Sequence, residues 1–173
     1  MILILTGPTR SHKTSALFEW AKKRDDCGGV LTPDRKTLRM LYNVKEKKSM
    51  PFQKPEMDAP SDVTIGRFVF DGEGFKKASL WLNEHLADPK LKYILLDEIG
   101  ALELEGGGFD QWLRSSIATV GDKTLILVVR RNLLDDVMQR YELQEVSIVE
   151  KDYFLPDGTE HLSDDMMNEG DPE

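Results

Sequence analysis

The chain has 173 residues, of which 40% are hydrophobic and 31% charged, and its net charge is −8. That is one domain's length with enough apolar material for a core. It excludes wholesale disorder, a disulfide miniprotein and a helical membrane protein, whose spans need roughly 20 consecutive apolar residues. Seven carboxylates and no Lys or Arg lie between Pro156 and Glu173, so the remaining chain is near neutral and lacks the concentrated basic face of a nucleic-acid binder.

Ile2–Leu5 is continuously apolar, as a buried parallel strand should be. The run is too short, and lacks the basic residues, for a signal peptide. With Cys27 as the single cysteine, the expected setting is a reducing cytosol. A helix follows from about Lys13 to Asp26, with Ala16, Leu17, Trp20 and Ala21 on one face and Gly28-Gly29 as its stop. Val30–Thr32 and Leu38–Val44 flank Pro33-Asp34-Arg35-Lys36 and read as a hairpin. Residues 45–62, with Pro51, Pro55 and Pro60, read as the least regular part. Then come a strand at Ile65–Phe70, a helix from Gly72 to Leu86 and a strand at Tyr93–Leu96 ending at Asp97. A helix marked by Phe109, Trp112, Leu113 and Ile117 follows, then a strand at Leu125–Val129, a short helix over Leu133–Tyr141 and a last strand at Val146–Val149. Strands alternating with helices predict a largely parallel sheet covered on both faces.

Between the first strand and first helix lies Gly7-Pro8-Thr9-Arg10-Ser11-His12-Lys13-Thr14. The spacing fits a phosphate-binding loop, G-x-x-x-x-G-K-[ST], with His12 standing where the second glycine belongs. Such a loop wraps backbone N–H groups around an anion at a helix N-terminus. Lys13 would reach the β- and γ-phosphates and the Thr14 hydroxyl would bind Mg²⁺. Histidine takes the left-handed conformation that this position requires more readily than most residues, at about 1 kcal/mol.

Lys92-Tyr93-Ile94-Leu95-Leu96-Asp97-Glu98 supplies an independent signal, an apolar strand ending in two acids. Asp97 would hold Mg²⁺ and Glu98 would accept the proton of an attacking water. Parallel strands deliver their C-terminal ends to one edge, so the two motifs can meet there.

On these residues the chain resembles the nucleoside-triphosphatase family whose human member was named as cancer-related. Leu5-Thr6-Gly7-Pro8, Lys13-Thr14 and Gly29-Val30-Leu31-Thr32 carry the likeness, together with Leu96 to Leu104, which is similar to the family's Asp-Glu-Ile-Gly-x-x-Glu box. Val129-Arg130-Arg131 is similar to a further family feature. The resemblance implies a P-loop NTPase fold over residues 1–155: a three-layer α/β/α sandwich, mostly parallel, with an inserted β-hairpin. Residues 156–173 would be a solvated acidic tail. It implies Mg²⁺-dependent hydrolysis of ATP, GTP and other nucleoside triphosphates to diphosphate and phosphate, with no nucleic-acid or membrane partner.

Residue by residue, Gly7, Pro8, Thr9, Arg10, Ser11, His12, Lys13 and Thr14 would cradle the phosphates. Thr14 and Asp97 would hold the metal, and Lys13, Glu98 and Arg130 would carry the catalysis. Arg130 and Arg131 are equal candidates for charge on the γ-phosphate, and both also fit an ordinary surface pair. Glu103 fits either a further acid near the metal or a solvated carboxylate. Gly106-Gly107-Gly108 fits a flexible loop beside the site or a plain linker. His12, Arg10, Ser11 and Val129 depart from the family pattern and bear on rate more than on fold. Two alternatives follow. One is a small-molecule or nucleotide kinase using the same cradle, since Thr9-Arg10-Ser11 also looks like adenosylcobinamide kinase. The other is a nucleotide-binding protein that His12 prevents from hydrolysing.

Overall fold

A computed structural model of the chain describes residues 1–155; the predicted acidic tail lies outside the described residues. The elements run β1 (Ile2–Gly7), α1 (Lys13–Lys22), β2 (Cys27–Leu31), β3 (Asp34–Arg35), β4 (Leu38–Asn43), β5 (Lys48–Pro51), β6 (Gln53–Lys54), β7 (Val63–Ile65) and β8 (Phe68–Phe70). They continue with α2 (Gly72–Ala87), β9 (Tyr93–Ile99), α3 (Ala101–Leu104), α4 (Asp110–Ile117), β10 (Thr124–Arg130), α5 (Leu134–Arg140) and β11 (Val146–Val149). Short 3-10 turns occupy Arg131–Leu133 and Lys151–Phe154.

The main sheet has the order β11-β1-β10-β9-β2-β4-β3, with β5 on the other side of β4. From β11 to β2 all pairings are parallel; β4 turns antiparallel to β2. Alternation along the strands builds two cores. Ile2, Ile4, Ile94, Leu96, Leu125 and Leu127 face α2, α4 and α5, where they meet Leu82, Leu113 and Val137. Leu3, Leu5, Leu95, Ile126 and Val128 face α1 and the last 3-10 turn, against Leu17 and Phe154. The expected three-layer sandwich with a mostly parallel sheet is therefore what forms. Among the described residues no helix is long and apolar enough to cross a membrane.

Four local readings are corrected. Gly28 and Gly29 do not stop α1, which ends at Lys22; they lie inside β2. Gly29 has φ +104, and a Cβ there would lie 2.0 Å from the Leu95 carbonyl oxygen, so only glycine lets β2 approach β9 this closely. Its N–H donates to Nδ1 of the buried His85 on α2, 2.8 Å away, and burial pushes the His85 pKa down, favouring the neutral ring that accepts this bond. The 45–62 stretch contains β5 and β6; Pro51 is tolerated because β5 pairs only with β4 and forms an edge. The single strand expected at Ile65–Phe70 is two, β7 and β8, turning at Gly66 with φ +60. Finally, β9 does not end at Asp97 but runs on to Ile99.

Candidate functional site

The strand ends bring the two motifs together. Gly7, at the end of β1, lies level with Arg130 at the end of β10, and β9 follows beside β10. The loop after β1 holds Arg10 at φ 57 and His12 at φ 62, so His12 adopts the left-handed conformation the missing glycine would have supplied. Two such residues store roughly 2 kcal/mol of strain, which the tight curl of the loop requires. His12 caps α1 and its carbonyl accepts from Ala16 N at 3.0 Å.

Lys13 opens the helix with only 8% of its surface exposed. Its ammonium donates to Pro8 O at 2.7 Å, Ser11 Oγ at 3.2 Å and Gly7 O at 3.3 Å, bridging the loop from within. Burial pushes its pKa below the ordinary lysine value, while Asp97 and Glu98 pull it up and Arg130 and Arg131 oppose them. These five charged groups therefore share one field.

The Thr14 hydroxyl donates to both Asp97 oxygens, at 3.0 Å to Oδ1 and 2.9 Å to Oδ2, across 83 residues of sequence. Asp97 is buried and also accepts from Thr32 N at 3.1 Å and Thr32 Oγ1 at 3.2 Å, both on Oδ2. Burial, then the neighbouring Glu98, raises its pKa to about 6; the Thr32 and Thr14 donors and Arg39 act the other way. A hydroxyl resting on a buried carboxylate is a hard-oxygen pair that fits a small divalent cation, which proteins commonly hold with one or two side chains plus substrate phosphates. Among the described residues there is no cluster of three or more His, Cys, Asp or Glu that would hold a metal alone.

Glu98 sits on a bulge. Leu96 faces Leu127 and Ile99 faces Val129, so Asp97 and Glu98 together stand opposite Val128. Glu98 has φ +52, and its side chain is 36% exposed where Asp97 is buried. Its Oε2 accepts from Nη1 of Arg39 on β4.

The two arginines separate. Arg131 pairs with Glu150 through Nη2. Arg130 is exposed, and its side chain has no hydrogen bond or ion pair among the described residues. Glu103 is neither solvated nor bonded to Thr14 or Asp97. It is 3% exposed and accepts Gly100 N at 3.0 Å on Oε2 and Phe109 N at 3.1 Å on Oε1. Burial raises its pKa. A Cβ on Gly108, φ +55, would lie 2.2 Å from Glu103 Oε1, so the three-glycine segment is folded around that carboxylate rather than left as a free linker.

Two residues at the site had no role in the sequence reading. Thr32 stood in the quoted run opening the hairpin. Arg39 was visible only as the one charge in the mostly apolar stretch Leu38–Val44.

The sequence profile of the NTPase family matches residues 2–156 of this chain. Among solved structures, a human cancer-related nucleoside triphosphatase, determined in solution, superposes with a TM-score of 0.63 at 19% identity, over 86% of this chain and 87% of that one. THEP1 from the hyperthermophile Aquifex aeolicus superposes with a TM-score of 0.67 at 18% identity, over 87% and 89%. At such identities the likeness is one of fold. No curated protein matches the sequence.

Proposed function

Because this chain belongs to the NTPase family, we propose that it is a Mg²⁺-dependent phosphohydrolase that converts ATP, GTP and other nucleoside triphosphates to the diphosphate and phosphate. The observation that carries the proposal is the Thr14 hydroxyl lying on the Asp97 carboxylate beside Lys13.

In this reading the loop from Gly7 to Thr14 binds the phosphates with its backbone N–H groups and the α1 N-terminus. Lys13 exchanges its carbonyl contacts for β- and γ-phosphate oxygens. Thr14 and Asp97 would hold Mg²⁺, which would supply positive charge to the phosphate oxygens. Glu98 orients the attacking water in line with the γ-phosphorus and takes its proton. Arg130, at the strand end level with Gly7 and without a side-chain partner among the described residues, turns toward the charge that builds on the γ-phosphate. His12 already holds the left-handed conformation, which supports a working phosphate loop. The single cysteine is free and buried, in keeping with a reducing, cytosolic setting.

Phosphate release from a panel of nucleoside triphosphates with Mg²⁺ tests this. Lys13→Ala and Glu98→Gln should each lower turnover by about 10²-fold or more. Release unchanged by Lys13→Ala would overturn the assignment.

A further inference from the structure

The β2–β4 hairpin grips both acids at the end of β9. Thr32, just past β2, gives its N–H and hydroxyl to Asp97, and Arg39, on β4, gives Nη1 to Glu98. We propose that Arg39 is a positioning residue for hydrolysis: it neutralises the Glu98 carboxylate and fixes its direction, so that a triphosphate can approach it and a water can be aligned on it. This rests on the hydrolase reading above.

Arg39 is itself held from several sides. Its Nε donates to Asp34 Oδ1 at 3.0 Å, and Asp34 is its partner across the small β3–β4 ladder. Its backbone N–H donates to Gln53 Oε1 at 3.2 Å, and its carbonyl accepts from Phe52 N at 3.3 Å. Both partners belong to the segment leading into the second sheet, β6-β8-β7. The side chain is 23% exposed, against 36% for Glu98, so the pair forms at the rim of the site rather than in open solvent. Burial works against the Arg39 charge, yet Glu98, Asp34 and Asp97 together raise its pKa above the ordinary arginine value.

The chemistry requires such a partner. Without it, Asp97 and Glu98 present two adjacent carboxylates to an incoming γ-phosphate, and like charges at this range repel. A planar guanidinium can bind Asp34 with one edge and Glu98 with another, which both removes the repulsion and sets an angle. An ammonium supplies only the charge. Charge and orientation are therefore separable by substitution.

The test is a double-mutant cycle of Arg39→Gln and Glu98→Gln, read by the affinities for ADP and for an ATP analogue with a non-hydrolysable β–γ linkage, both with Mg²⁺. Phosphate release from ATP by the wild type and Arg39 variants is measured alongside. Arg39→Gln should weaken the triphosphate analogue by about tenfold and leave ADP unchanged, and in the Glu98→Gln background it should cost nothing further. Arg39→Lys should restore the analogue's affinity while kcat stays down by about tenfold or more. A penalty of equal size in both backgrounds, or none in either, would overturn the assignment. It would leave the hydrolase reading intact wherever the wild type releases phosphate. A coupled binding cycle in a wild type that releases none would overturn the hydrolase reading and, with it, the positioning role, leaving Arg39 only as the charge partner of Glu98. A wild type that binds neither nucleotide would overturn both.

Discussion

Replacing Asp97 by Asn should make the metal-free protein more stable while removing its activity. Asp97 is 1% exposed, and its pKa stands at about 6 against an ordinary 3.8, chiefly because burial penalises the charge and then because Glu98 adds repulsion. Holding the charged carboxylate there costs the folded state on the order of 1–3 kcal/mol at neutral pH. The hydrogen bonds survive the change. Oδ2 takes both Thr32 donors and one contact from Thr14, whereas Oδ1 meets only Thr14, whose hydroxyl can turn and accept from an amide N–H. One amide N–H goes to Thr14 and the second has no acceptor among the groups that now meet Asp97, so only part of the cost should be recovered, a net gain of about 1 kcal/mol or roughly 2–4 °C in Tm for a domain of this size. The pH dependence has a definite sign. A folded pKa above the unfolded one favours the folded state fully below 3.8, and that contribution is lost as pH rises through about 6. The gap between variant and wild type should thus be full at pH 7.5 and close as pH falls toward 4. Thermal unfolding in a chelating buffer at several pH values reads it directly. An Asn variant no more stable than wild type at pH 7.5, or a gap unchanged at pH 4, would refute the reasoning.

Two further substitutions probe the framework. Gly29→Ala forces a Cβ against the Leu95 carbonyl at φ +104 and disturbs the N–H bond to His85; the strain and lost bond should cost at least about 3 kcal/mol in urea unfolding, and a wild-type midpoint would contradict the β2–β9 register. Glu103→Gln replaces an oxygen that accepts a backbone N–H with an amide that cannot, so stability should fall by about 1–3 kcal/mol while the folded fraction keeps its turnover. Lost turnover at unchanged stability would return Glu103 to the chemistry.

The parts of the site legible in the sequence are those whose signal is local. Lys13-Thr14 follows an apolar strand at fixed spacing, and Asp97 ends another apolar run. Parallel topology then does the rest, because strand ends on one edge must meet. What was not legible depends on contacts between distant segments. Arg39 reaches Glu98 across 59 residues, and nothing in Leu38–Asn43 distinguishes an arginine in a site from one in water. The β9 bulge was equally silent, since Asp97-Glu98-Ile99 reads as a strand end until β10 supplies the register. Gly28-Gly29 misled because glycine marks a helix stop and a close strand approach with the same letter. Pro51 misled because whether proline breaks a strand depends on whether that strand lies at an edge.

The pairing of β1 also has a temporal side. Residues 2–7 are made well before their neighbours in the sheet, β10 at 124–130 and β11 at 146–149. β2, β4, α2 and β9 meet one another without β1. A nascent chain can therefore assemble the strand carrying both acids and the hairpin that grips them while the phosphate loop still waits for its place. Contacts spanning nearly the whole chain close slowly. The loop that would bind nucleotide is seated only once β10 is made, and until then the apolar run Ile2–Leu5 lacks its partners in the sheet and is open to misassociation.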